Sequence, residues 1–261
     1  MQNDSLKAGV LRMEGTNNEE EAFLSLKRAG FDPDYIHISE LNNKKNINDY
    51  ELIFIPGGFS AGDYIRAGAL FAARLRPFMK DINKFIDSDK LLIGVCNGFQ
   101  VLSELGLLPD TGNNKNRTMA LAINDSNKFE CRYTYIKYTS KNKIFKKYFS
   151  NKIFQVPVAH LEGKVKFMDD NILDEVLNND QVIFKYTDIT GNNSGYPWNP
   201  NGSVMDIASL SNKYGNVIGL MPHPERVYYN YQLMNDNIYY EKGTGEYFFK
   251  SLYDYTKNLV S

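Results

Sequence analysis

The sequence predicts an α/β protein with a mostly parallel central sheet flanked by helices, joined to an additional antiparallel strand region. Three observations carry that expectation. As far as Leu108, short apolar runs alternate with stretches whose apolar residues recur at helical spacing, the pattern of βα units joined by right-handed crossovers. Two of those runs end on glycines, in Pro56-Gly57-Gly58 and in Gly94-Val95-Cys96-Asn97-Gly98, and the carboxyl ends of parallel strands are where such sheets hold ligands. Past Pro109 the segments shorten and fill with β-branched and aromatic residues, which favours strands.

Residues 6–13 read as the first strand, and 17–31 as a helix with an acidic first turn. Ala22, Phe23, Leu26 and Ala29 lie on one face of that helix, and Gly30 stops it. Residues 34–38 form a second strand, 41–49 a polar loop, and 51–60 a strand running into the glycine turn. Leu70, Phe71, Leu75, Phe78, Met79, Ile82, Phe85 and Ile86 keep a helical period that Pro77 should kink or restart. The run Leu91 to Val95 is too short for a helix and suits a strand covered on both faces. From Phe99 the helical period returns through Val101, Leu102, Leu105 and Leu108, with Gly106 and Pro109 as the stop. Strands are expected within 128–139, 151–160, 164–169, 181–187, 203–210 and 216–223, with helical character only near 171–177. Residues 188–203, crowded with Gly, Asn, Ser and Pro, read as a loop. A final helix over 244–260 carries Phe248, Phe249, Leu252, Tyr255 and Leu259 on one side.

The chain of 261 residues is long enough to bury a large core and reads as one domain over 1–261. A hydrophobic fraction of 43% and a net charge of -1 give no basic excess for nucleic acid or an anionic membrane. The N-terminal segment has no signal-peptide pattern and no window reaches the length of a membrane span, so a cytoplasmic location is expected. With only Cys96 and Cys131 there is no disulfide framework, and no His/Cys cluster has metal-ligand spacing, so no metal is expected.

Chemistry enters at Cys96. A strand that turns into a helix within two residues needs a sharp bend, and Gly94 and Gly98 clear side chains from either side of it, as in the nucleophile elbow of serine hydrolases. A cysteine there meets the unpaired N–H groups of the first helical turn, whose partial positive charge favours the thiolate. The competing reading is a small buried apolar residue. A cysteine nucleophile needs a base and a group to orient that base. Of His37, His160 and His223, the last stands between Pro222 and Pro224 with Glu225 two residues on, so Cys96, His223 and Glu225 make a candidate triad. The backbone N–H of Asn97 and of Gly58 are candidate oxyanion donors.

Together GVCNGFQ, PGGFSAGDYIRAG, PVAH-x-EG, NGS-x-x-DIA and GLMPHPER resemble the class I glutamine amidotransferases, and within them the glutaminase subunits of phosphoribosylformylglycinamidine synthases. The likeness runs over nearly the whole chain. It implies a flavodoxin-like amidotransferase fold and hydrolysis of L-glutamine to glutamate and ammonia. It implies that Cys96 forms a γ-glutamyl thioester, that His223 serves as acid and base, and that Glu225 orients His223. It further implies oxyanion contacts from Gly58 and Asn97, and glutamine contacts from Gln100 and Gly57. It implies two partners, a large synthetase subunit that takes the ammonia and a small third subunit, with ATP and Mg on the synthetase and no cofactor in this chain. Leu161 stands where the family often has glycine, and His160 reads as structural or substrate-adjacent. Ala61 replaces a common aromatic residue, and the YPWNP loop is long. Two other classes share the elbow pattern: a γ-glutamyl hydrolase or peptidase, and a non-catalytic subunit that keeps the fold.

Overall fold

A computed structural model describes residues 5–41, 44–112, 117–234 and 241–260. Residues 1–4 of the N-terminal segment and 42–43 of the polar loop lie outside the described residues. The first half is built as its periodicity predicts. Strands β1 (Lys7–Arg12), β2 (Asp32–His37), β3 (Leu52–Ile55) and β4 (Leu91–Val95) pair in parallel in the order β2-β1-β3-β4. Helix α1 (Glu19–Ala29) ends at Gly30, whose φ of 116 closes the helix with its N–H on Lys27 O, a left-handed stop that glycine takes without strain. Pro77 restarts the next helix as expected: α2 (Ala69–Leu75) and α3 (Met79–Asp87) flank a single 3-10 turn over Arg76–Phe78. All of β4 is buried, and its turn leads directly into α4 (Asn97–Glu104).

The second half holds two elements that the sequence reading missed. Strand β5 (Met119–Ile123) pairs with β8 (Glu162–Phe167) in a small antiparallel sheet. Helix α5 (Lys143–Phe149) sits between β6 (Glu130–Tyr138) and β7 (Ile153–His160). Asn142 caps α5 by accepting from Ile144 N–H, and the spacing of Ile144, Phe145 and Phe149 turns the buried side inward. Helix α6 (Asp170–Asn178) and strand β9 (Val182–Thr187) follow as predicted, then β10 (Ile207–Ser211), β11 (Val217–Leu220) and α7 (Thr244–Val260).

Strand β11 joins β4 in parallel, which gives the inner order β2-β1-β3-β4-β11, the flavodoxin-like order. From there β10, β9, β6 and β7 continue the same sheet antiparallel. The extension curls back over the carboxyl end of β4: the Cys96 thiol donates to Ala159 O on edge strand β7 at 3.6 Å, and His223 N–H donates to Pro157 O at 2.9 Å. An aromatic cluster fixes the curl. Phe145 of α5 stacks on Phe248 of α7 with ring centroids 5.1 Å apart and meets Phe184 of β9 edge-on at the same distance. Phe248, Phe249 and Leu252 of α7 are buried as its stripe predicts, but Leu259, in the last turn of the helix, is 47% exposed. No described helix is long and apolar enough to cross a membrane.

Candidate active site

Cys96 adopts φ 51 and ψ -104, a conformation that costs an L-residue about 1–3 kcal/mol and survives only where packing enforces it. The packing is on either side. A Cβ on Gly98 would stand 2.0 Å from Ile55 O, and one on Gly94 would stand 2.5 Å from Gly98 O, so both glycines are required for β3, β4 and α4 to meet this closely. The first intrahelical bond of α4 is Gln100 N–H to Cys96 O at 3.1 Å. The N–H groups of Asn97, Gly98 and Phe99 therefore have no partner within the helix. The Asn97 N–H, predicted as an oxyanion donor, belongs to this set.

His223 is brought to Cys96 by β11, which lies beside β4. Its Nδ1 is 2.6 Å from Glu225 Oε1, and both side chains are buried. The turn between Pro224 and Arg226 gives Glu225 the short span it needs to reach back. Burial opposes a charged ring, but the Glu225 carboxylate and the Cys96 sulfur outweigh it and push the His223 pKa up to about 10. His223 Nε2 is buried with no hydrogen-bond partner, which leaves that nitrogen available to a reacting group.

Gly57 lies between the two. A Cβ there would stand 2.7 Å from His223 Cε1, 2.8 Å from Asn18 Nδ2 and 3.3 Å from Cys96 Cβ. Gly58 has φ 145 and packs instead on Asn17, which is 2.5 Å (Oδ1) from where its Cβ would stand. Gln100 Nε2 donates to Glu162 O at 2.6 Å, and its Oε1 accepts from Asn97 Nδ2 at 2.9 Å. It also lines a cavity of about 540 Å³ with Glu162, Arg66, Glu104 and Arg117. The structure thus gathers Cys96, His223, Glu225, Gly57 and Asn97 in one buried cluster, with Gln100 and Gly58 at its edges.

Sequence reasoning missed several neighbours. Ser60 Oγ donates to Asn97 Oδ1 at 2.6 Å, and Asn97 Nδ2 also donates to Asp63 Oδ1 at 3.2 Å. Burial and the charge of Glu162 push the Asp63 pKa up to about 6 against the pull of the Asn97 donor. Arg66 grips Glu104 through Nε at 2.8 Å and Nη2 at 2.5 Å, a bidentate pair that ties the GDYIRAG segment to α4. The signal for Asp63 and Arg66 was in PGGFSAGDYIRAG; for Asn18, in a helix start, nothing pointed inward. His160 is 2% exposed, with Nδ1 3.1 Å from Asn124 Oδ1. Burial, helped by the charge of His223, pulls its pKa down to about 3, so it stays neutral, and Leu161 beside it is 39% exposed. Among the described residues no group of three or more His, Cys, Asp or Glu side chains could hold a metal ion.

A doubly wound sheet with a cysteine on a strained strand–helix elbow and a buried histidine–carboxylate pair against it defines an α/β protein with a candidate cysteine nucleophile. The CobB/CobQ-like glutamine amidotransferase domain matches residues 5–256, and the chain belongs to that family. It is 63% identical over 254 residues to the phosphoribosylformylglycinamidine synthase subunit PurQ of Picrophilus torridus, spanning 97% of this chain and 100% of that protein. It is 43% identical over 274 residues to the PurQ subunit of Archaeoglobus fulgidus, spanning 99% and 100%. Among solved structures, a chain of PurLQS from Thermotoga maritima superposes with a TM-score of 0.73 at 31% identity, covering 96% of this chain and 99% of that one. A glutamine amidotransferase from Thermotoga maritima, 16% identical with a TM-score of 0.51 over 98% of this chain and 94% of that one, shares the fold alone.

Proposed function

We propose that this chain is the glutaminase subunit of a phosphoribosylformylglycinamidine synthase, one amidotransferase domain that releases ammonia from L-glutamine for a synthetase partner. The observation that carries the reading is Cys96 on its elbow, packed with His223–Glu225 around the bare face of Gly57. The Glu225 carboxylate holds His223 protonated beside Cys96, which supplies the proton that the departing nitrogen needs. The Cys96 thiolate attacks the side-chain amide carbon of glutamine, and the carbonyl oxygen takes the negative charge. The N–H groups of Asn97 and Gly58 receive that oxyanion. His223 gives its proton to the departing nitrogen as the C–N bond breaks, which leaves ammonia and a γ-glutamyl thioester. The now neutral His223 takes a proton from water, the hydroxide adds to the thioester, and the C–S bond breaks to return the thiolate and free glutamate. Glu225 holds the ring orientation throughout. Gly57 and Gln100 contact the glutamine.

The full-length match to PurQ subunits and the likeness to a PurLQS chain support docking on a large synthetase and a small third subunit. In this reading ammonia passes to the synthetase, which uses ATP and Mg to amidate formylglycinamide ribonucleotide, in the cytoplasm; this subunit itself holds no cofactor. Glutamate release from free glutamine, measured with and without the synthetase, tests the reading. Release is expected to rise when the partner is added. Preference for γ-glutamyl peptides over glutamine would contradict it.

A further inference from the structure

Asn18 is the N-cap residue of α1, a position where asparagine ordinarily accepts a bond from the first-turn N–H groups. Here it makes no side-chain cap bond. The side chain, only 3% exposed, turns away from its own helix. Its Oδ1 accepts from Arg226 Nη2 at 2.5 Å, its Nδ2 lies 3.5 Å from His223 Nδ1, and its backbone N–H donates to Gly57 O at 3.2 Å. The Arg226 bond settles the amide orientation, since only the oxygen can accept from a guanidinium. The NH2 end therefore faces the histidine. His223 Nδ1 already serves Glu225 at 2.6 Å, so the longer Asn18 contact cannot be a strong hydrogen bond; it packs against the ring and limits its rotation. One residue thus touches His223, the glycine turn beside Cys96 and an arginine of the same segment as His223. A cap forgone with so many other contacts marks a side chain held for use elsewhere.

We propose that Asn18, anchored by Arg226, is a positioning residue that holds His223 and the Gly57 turn in register with Cys96. The inference rests on the glutaminase reading for its kinetic consequence, but not for its geometric one. The titratable and charged groups around the ring are Glu225 on its own segment, Cys96 from the start of α4, His160 from β7 and, through Asn18, Arg226.

Two measurements on Asn18→Ala, Arg226→Ala and the double variant test it, in the complex with the synthetase. The first is steady-state glutamate release. The expected result is a fall in kcat of about tenfold with KM for glutamine within about twofold, because misplaced catalytic groups lose rate rather than binding. The double variant should lose no more than either single one, since both remove the same restraint. The second is the pH dependence of Cys96 alkylation by iodoacetamide, followed by peptide mass spectrometry to separate it from exposed Cys131. Its midpoint should rise by about one pH unit as the imidazolium drifts from the thiolate. Wild-type kcat, KM and alkylation profile in Asn18→Ala, or an effect confined to Tm, overturns the proposal. If Asn18→Ala does not fold, Arg226→Ala, which leaves Asn18 present but unanchored, carries the same test with the same two outcomes. A wild-type complex that releases no glutamate would sink the glutaminase reading, while a shifted alkylation midpoint would still uphold the positioning role.

Discussion

Two buried histidines with opposite pKa shifts divide the labour of the site at the scale of single residues. His223 is held protonated by Glu225 and Cys96, and His160 is held neutral by burial. Each shift has a consequence for stability with its own sign. The folded His223 binds its proton up to about pH 10, whereas the unfolded one releases it near 6.5, so its contribution is full below about 6.5 and lost as pH rises through about 10. The folded His160 refuses a proton until about pH 3, so stability falls as pH drops from about 6.5 toward 3, with a slope of up to about 1.4 kcal/mol per unit. Chemical denaturation across pH should show His160→Gln flattening the acid side alone; an unchanged acid slope would mean that His160 is not kept neutral. For catalysis, Glu225→Gln is expected to lower kcat by about a hundredfold or more, because the ring then loses its fixed tautomer. A wild-type kcat in that variant would remove Glu225 from the mechanism.

The elbow is the element on which the site depends, and its glycines are not equivalent to those elsewhere. Gly98→Ala would drive a methyl to 2.0 Å from Ile55 O, and backbone cannot yield that distance. We expect a loss of about 3 kcal/mol or more, or no folded protein. Gly62 has φ 67 but open space around its Cβ position, so Gly62→Ala should cost only about 1 kcal/mol of left-handed strain. Comparable urea midpoints for the two variants would show that close packing does not hold the elbow. The parallel half was legible in the sequence because strands β3 and β4 end at turns with their own composition, Pro56-Gly57-Gly58 and Gly94 to Gly98. The antiparallel half was less so. Helix α5 spans seven residues, about two turns, and its Asn142 cap lies in a polar, lysine-rich run that resembles a loop. Strand β5 has alanines at two of its five positions, too few bulky side chains for a strand pattern to emerge.

For the molecule as a whole, the site exists because the nine-stranded sheet curls, bringing edge strand β7 over the end of β4. No local pattern encodes that return. It is set by contacts distant in sequence, such as Phe145 on Phe248 and His223 N–H on Pro157 O, so the candidate triad could be picked from residue type and motif while the contacts that gather it could not. Asn18 shows the same limit, since its side-chain partners lie more than two hundred residues away. At this scale the proposed function turns on one thiol liberating the nitrogen that a partner uses. The decisive measurement is amidation of formylglycinamide ribonucleotide by the reconstituted complex, with Cys96→Ala in this chain and either glutamine or ammonium as nitrogen source. Product from glutamine should disappear while product from ammonium persists; undiminished product from glutamine would contradict the role given to Cys96.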